Sequence, residues 1–282
     1  MIRSLLAVVL LLLPALAAAR PGLFYTVTDP AGEPAAWVYA TLPSSDPRIR
    51  RLPSPVERAL DRADGLVVGV RPDAAARREV ADASQLPPGE DLRDPLGLSL
   101  FARAHRALEG SGLSREELAR LQPWAVALAL ATPTGLDPAG PVLPLIQRAR
   151  RTGLPIHGLE SASEHIAALA GLSLPDKVGL IAHLTEFRPR LGRWQARQEA
   201  AWLEQDPGAV ARRFVELVEG ADEEVSAAFR QAVIVQRGQR MAARLERRLA
   251  EGQRPLVALH ALHVPRILER LEAAGYRVSR AD

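Results

Sequence analysis

The chain of 282 residues contains no cysteine. That excludes disulfide staples, thiolate metal sites and a cysteine nucleophile, so the fold must rest on its core alone. Lysine is almost missing: Lys177 is the only one, and every other basic residue is arginine. With a net charge of only +3, an Ala- and Leu-rich chain of this kind points to a GC-rich coding bias before it points to a nucleic-acid site. The pairs Arg50-Arg51, Arg77-Arg78 and Arg150-Arg151 each lie near acidic residues and read as solvated faces, so no nucleic-acid partner is expected. Beyond the first segment no stretch is long and apolar enough to span a bilayer. A nucleophile elbow, a phosphate loop, a dinucleotide fingerprint and His-Glu-x-x-His are all missing. The serines follow no triad spacing, and no solenoid repeat occurs.

What is present begins with residues 1–19. Arg3 supplies a positive start, Leu5 to Leu13 is an unbroken apolar run, Pro14 breaks it, and Ala17 and Ala19 offer an Ala-x-Ala cleavage site. This reads as a secretory signal peptide; the other reading is an uncleaved N-terminal anchor, for which the run is short. The expected mature protein, residues 20–282, is one domain, periplasmic or secreted, and not an integral membrane protein once the signal is removed. It is long enough to bury a substantial core.

Leu23–Thr28 and Trp37–Leu42 are strand-like, and the turn formers Asp29-Pro30-Ala31-Gly32-Glu33-Pro34 between them predict a hairpin. Ser54-Pro55 predicts a helix with Ser54 as N-cap, ended by Gly65. Leu66–Val70 is a continuous apolar run of the length of a buried parallel strand. Residues 72–98 are weakly patterned and read as a surface excursion. Helices are expected at 99–109 and 114–131, the second opened by the capping box Ser114 to Glu117 and broken by Pro123. Another helix is expected from Pro141 to Thr152, capped by Gly153. A short strand, Pro155–Glu160, precedes a helix from Ser161 to Ala170. From Pro175 to Glu251 the pattern is almost wholly helical. Leu256–Leu259 is a second buried strand, Pro265–Ala274 a helix, and Tyr276–Ser279 a closing strand. The fold class expected is α/β: a mixed sheet formed from N- and C-terminal strands, flanked by helices, with a largely helical middle.

Candidate chemistry gathers where strands end. In open α/β sheets, ligands bind outside the carboxyl ends of the strands. His260 and His263 follow the strand run Leu256–Leu259, placed for metal binding or proton transfer. The alternative is that one of them only bonds a backbone carbonyl at a packed strand end. In an extended strand residues three apart face opposite sides, so the two would converge only across a turn. Glu160 ends its own strand and is placed either to bind metal or act as a base, or to precap the following helix. His157 receives no role.

These blocks resemble, over almost the entire mature chain, the TraB/PrgY/GumN family, whose animal relatives are the Tiki membrane-anchored metalloproteases. The likeness is carried by Trp37-Val-Tyr-Ala-Thr-Leu-Pro-Ser-Ser-Asp-Pro-Arg48, by Leu52-Pro53 and the helix to Ala63-Asp-Gly-Leu-Val-Val68, and by Leu121-Gln-Pro-Trp124. Ala149 to Glu160, Arg237 to Met241 and Leu256 to Val278 complete it. The resemblance implies two Gly-x-x-His motifs and acidic residues around a divalent metal. Here the first motif falls on Ala40-Thr-Leu-Pro43, so proline stands where the histidine belongs. A glutamate usual after the next strand meets Val68-Gly69-Val70. The second motif falls on His260-Ala-Leu-His263, keeping its histidine. The glutamate after Gly-Leu is kept as Glu160, and the usual Arg-Asn pair is Arg237-Gly238.

Two functional expectations follow. One is a degenerate member that has lost metal-dependent hydrolysis and binds a peptide or an envelope protein in the old cleft. The other is an active metal-dependent peptidase rebuilt around a divalent metal held by His260, His263 and Glu160, with Glu160 and His263 as its catalytic candidates.

Overall fold

The computed structural model describes residues 22–136, 140 and 142–281. The expected signal peptide and the expected helix start at Pro141 lie outside the described residues. Six strands form one mixed sheet in the order β4-β3-β5-β2-β1-β6. They are β1 (Phe24–Thr28), β2 (Pro34–Thr41), β3 (Leu66–Val70), β4 (Ile156–Glu160), β5 (Leu256–His260) and β6 (Arg277–Arg280). The hairpin expected at the start is β1 and β2, paired antiparallel, and β6 adds antiparallel to β1. The other contacts, β2 with β5, β5 with β3 and β3 with β4, are parallel.

That topology decides where chemistry can sit. Four neighbouring parallel strands finish at one edge, in the order Glu160, Val70, His260, Thr41 along it. The pairings of Val70 with Glu160 and of Thr41 with His260 fix the register. The interior strands are apolar on both faces because helices cover both. In β5 Leu256, Val257, Ala258 and Leu259 are all buried, and only His260 shows surface.

Helices α1 (Pro47–Arg50) and α2 (Ser54–Arg62) connect β2 to β3. Ser54 is not the N-cap expected of it: Pro53 holds that position and no side chain caps the helix. With proline at both N-cap and second position, fixed φ starts the helix without a hydroxyl. The stretch 72–98 is no mere excursion. It holds α3 (Ala74–Ala83) and the first turn of α4 (Arg93–Ala107). Asp73 caps α3 by accepting from the Ala76 N–H, and its Ala-rich composition favours a helix. No α3 residue is buried, so it carries no apolar stripe for periodicity to detect.

Helices α5 (Arg115–Ala119), α6 (Pro123–Ala131) and α7 (Leu143–Thr152) follow. The capping box at Ser114 forms, and the expected break comes as α5 ends at Ala119 and α6 begins at Pro123. Gly153 ends α7 at φ 69°, where a side chain would be strained. After β4 come α8 (Ala162–Ala170), α9 (Leu174–Phe187), α10 (Leu191–Leu203), α11 (Pro207–Val215) and α12 (Glu223–Phe229). A π-helical stretch, Arg230–Gln236, joins α12 to α13 (Arg237–Ala250), and α14 (Val264–Ala273) connects β5 to β6.

Two cores result. One packs the sheet against α2, α7, α13 and α14, with Tyr25, Val38, Val67, Leu245, Val257 and Ile267 buried. The other lies within the helical layer and buries Leu92, Phe101, Leu180, Ile181, Trp194 and Phe229. The carboxyl edge of the sheet meets this second layer. Among the described residues no single helix is long and apolar enough to cross a membrane.

Candidate functional site at the carboxyl edge of the sheet

Glu160 ends β4 with its side chain wholly inaccessible. It does not precap α8, because Ser161 and Glu164 do that in a complete capping box. Its carboxylate is gripped by Arg237, the first residue of α13. Arg237 donates from Nε to Oε2 at 2.9 Å and from Nη2 to Oε1 at 2.8 Å. Two parallel charge-assisted bonds of this kind are the strongest pairing open to a carboxylate. Burial works to raise the Glu160 pKa, but the Arg237 guanidinium on both oxygens outweighs it and brings the pKa down to about 2. Glu160 is therefore a carboxylate at neutral pH and a poor proton acceptor.

His165, in the first turns of α8, is the neighbour that sequence reasoning passed over. Its Nδ1 lies 2.8 Å from Arg237 Nη2. A guanidinium only donates, so Nδ1 accepts and the ring proton sits on Nε2. His165 stands 3.8 Å from Glu160, near it but not bonded to it. Arg237 thus joins a buried carboxylate to a half-exposed imidazole. The only signal in the sequence was the position of Arg237 ahead of the last long helix.

His260 ends β5. Its Nδ1 accepts the Leu262 N–H at 3.0 Å, which places the proton of the neutral ring on Nε2. Its ring stands edge-on to Phe214, 5.7 Å between centroids. Desolvation first, and then the Arg237 charge, push its pKa down to about 4. The chain then turns, with His263 N–H bonded to His260 O at 3.0 Å, so the two histidines do not lie on one extended strand. His263 is buried and sits at the N-cap of α14. Its pKa is pushed down to about 3 by desolvation, Arg237 and His260.

The segment that replaces the first expected histidine is tied down by one face of α10. Gln195 Nε2 donates to Pro43 O at 2.9 Å, Ser44 Oγ donates to Glu199 Oε1 at 2.6 Å, and Trp202 Nε1 donates to Ala40 O at 2.9 Å. Positions 195, 199 and 202 are spaced as one helical stripe. Pro43 is held in place but brings no donor atom.

These residues do not fit a catalytic divalent metal. Such a site takes at least three protein donors about 2.0–2.3 Å from the ion. Glu160 is fully enclosed with Arg237 against both oxygens, and His260 spends Nδ1 on a backbone N–H while Nε2 carries a proton. Glu160 and His260 also end strands two apart, roughly 10 Å at normal strand spacing, with Val70 between them. The fixed cation of Arg237 adds repulsion. Among the described residues no three His, Asp or Glu side chains stand where they could hold one ion.

What the edge does offer is a cavity of about 300 Å³ between the sheet and the helical layer. Leu42, Pro43, Trp124, Leu180, Trp194, Phe214 and Val233 line it, with His260, Arg237 and His165 among its few polar residues. On another side of Glu160 runs an open groove bearing Arg71, Arg244, Arg247 and Arg248. Asp73, Glu79 and Glu251 offset most of those charges in the same groove, so it presents little net positive face to a polyanion.

The model of the TraB/PrgY/gumN family matches residues 23–280. No curated protein and no solved structure matches the chain.

Proposed function

The chain belongs to the TraB/PrgY/gumN family, and from that premise we propose that it is an exported member that binds rather than hydrolyses. In this reading metal-dependent hydrolysis has been lost, and the cleft at the sheet edge receives an apolar part of a peptide or an envelope protein. One observation carries it: the buried carboxylate left at the site is held bidentately by Arg237, and the position after β2 where the resemblance expects a histidine is Pro43, whose side chain cannot ligate.

Each side chain then has a binding role. The apolar walls exclude water and favour an apolar group. Arg237 keeps Glu160 ionised and paired. His260, neutral at pH 7, presents Nε2–H as a hydrogen-bond donor. The three residues of α10 brace the wall that Leu42 and Pro43 form. Export rests on the first 19 residues; N-terminal sequencing of protein from an envelope fraction should begin at Arg20.

The competing reading, a rebuilt hydrolase, draws on two neutral imidazoles at one strand edge, since neutral histidine is the ligating form. Metal content and thermal melting separate the two. Mature protein should carry no stoichiometric zinc, manganese or cobalt, and its melting temperature should not move when these are added. A ligand that selects the native state at a hundredfold excess over its Kd stabilises by about 2.7 kcal/mol, which melting detects readily. A bound ion in one-to-one ratio, with a thermal shift abolished by His263→Ala, would falsify the binding reading.

A further inference from the structure

We propose that the cavity at the sheet edge receives a linear acyl group. Its hydrocarbon chain lies among α6, α9 and α10, and its carbonyl or carboxylate oxygen accepts from His260 Nε2–H. The inference rests on the binding reading above and names the chemistry of what is bound.

The walls argue for hydrocarbon rather than polypeptide backbone. A peptide brings an N–H and a C=O with every residue, and each needs a partner when buried. The cavity offers few, and most are taken. Gln195 Nε2 already donates to Pro43 O and Glu199, Thr132 Oγ1 donates to Leu128 O, and His165 Nδ1 accepts from Arg237. Leucine, alanine, tryptophan and phenylalanine side chains supply most of the rest. An unbranched chain needs no polar partners along its length.

His260 argues for an acceptor at one end. Because its Nδ1 is used by Leu262 N–H, the donor Nε2–H remains, and no protein group among the described residues receives it. Nor is that nitrogen sealed: among the described residues the Tyr39 hydroxyl is the one enclosed side-chain polar atom without a partner. His260 is desolvated yet keeps accessible surface, and it lines the cavity. The surface it shows is therefore turned to this internal space. A neutral ring whose remaining polar atom is an N–H selects an oxygen acceptor over a cationic or donor-only head.

The cavity adjoins the surface along α6. Trp124, Leu128, Thr132, Pro133 and Leu136 line both the cavity and an outer groove of about 480 Å³ along α6. Leu128, 42% exposed, stands there as an apolar side chain facing water.

Trp124 and Trp194 lie in the cavity wall, so intrinsic fluorescence reports occupancy without a label. Mature protein is titrated with dodecanoate, with an N-dodecanoyl peptide, and with dodecyltrimethylammonium, all below their micellar concentrations. Saturable one-to-one binding of either acyl probe is expected, with the cationic amphiphile at least tenfold weaker. A free acid that binds more tightly than the acyl peptide identifies a fatty acid as the source, and the reverse order identifies an acylated partner. His260→Phe, which keeps a flat ring but removes the donor, should weaken acyl binding about 3- to 10-fold. Ala131→Trp, which fills the cavity, should abolish it; melting curves confirm that both variants fold. The proposal is overturned if neither acyl probe saturates, if the cation binds equally well, or if folded Ala131→Trp binds like the parent. Failure here with the metal experiment still negative would sink the acyl group alone and leave the metal-free reading standing.

Discussion

At the scale of single residues, Arg237 and Glu160 decide the character of the site. A carboxylate with no accessible surface is tolerated only because two guanidinium bonds replace its water. Arg237→Ala would leave that charge buried and unpaired, so a loss of about 3–5 kcal/mol in urea unfolding is expected. Replacing both partners with apolar residues, Arg237→Met with Glu160→Leu, should recover most of it, because the desolvation cost disappears together with the attraction. A single Arg237→Ala variant within about 1 kcal/mol of the parent would show the pair to be incidental. Glu160 and His260 could be picked out in the sequence because each ends an apolar strand run, and His263 because it follows one closely. Their partners could not. Arg237 is 77 residues from Glu160 along the chain, and no local pattern encodes a contact at that distance.

At the scale of elements, capping chemistry was the most legible feature. Ser114 with Glu117 and Ser161 with Glu164 form complete capping boxes, and Gly153 takes the left-handed conformation its place after α7 predicts. Ser161→Ala should cost about 1 kcal/mol, measured by chemical denaturation. Because α8 carries His165, the same change should also alter the His165 ring signals in an NMR spectrum. Unchanged stability would mean that Arg244, which bonds both Glu164 and Leu159 O, holds the helix start by itself. Three elements were not legible: the four-residue α1, α3 and the π-helical stretch. Helix α3 buries nothing, so hydrophobic periodicity is silent about it. The π-helical stretch before Arg237 has one extra residue per turn, and nothing in its composition marks that. Such stretches often occur at functional sites, and this one leads straight into the residue that binds Glu160.

At the scale of the whole molecule, the edge histidines couple folding to pH. His260 and His263 have folded pKa values of about 4 and about 3 against an ordinary 6.5. Between those limits the unfolded chain binds protons that the native state refuses, so stability falls as pH falls. Glu160 adds to the loss in the same direction, from its ordinary 4.5 down to about 2. Melting temperature should therefore hold steady above pH 7 and drop steadily below 6.5. Each histidine contributes a slope of about 1.4 kcal/mol per pH unit. His263→Leu should remove one share of that slope, whereas a flat profile from pH 7 to 4 would contradict the burial of both rings.

The sequence by itself determined the family, the α/β class and the strand ends where the candidate residues gather. These follow from local signals: apolar runs of strand length, caps, turn residues and the identity of single side chains. Only the tertiary structure decided that Arg237 occupies Glu160, that Leu262 N–H takes one nitrogen of His260, and that an apolar cavity opens between sheet and helices. Those depend on which strands become neighbours and how the helical layer packs against their ends. Contacts between segments distant in the chain are chosen by the summed burial of two cores, and no short stretch of residues carries that sum.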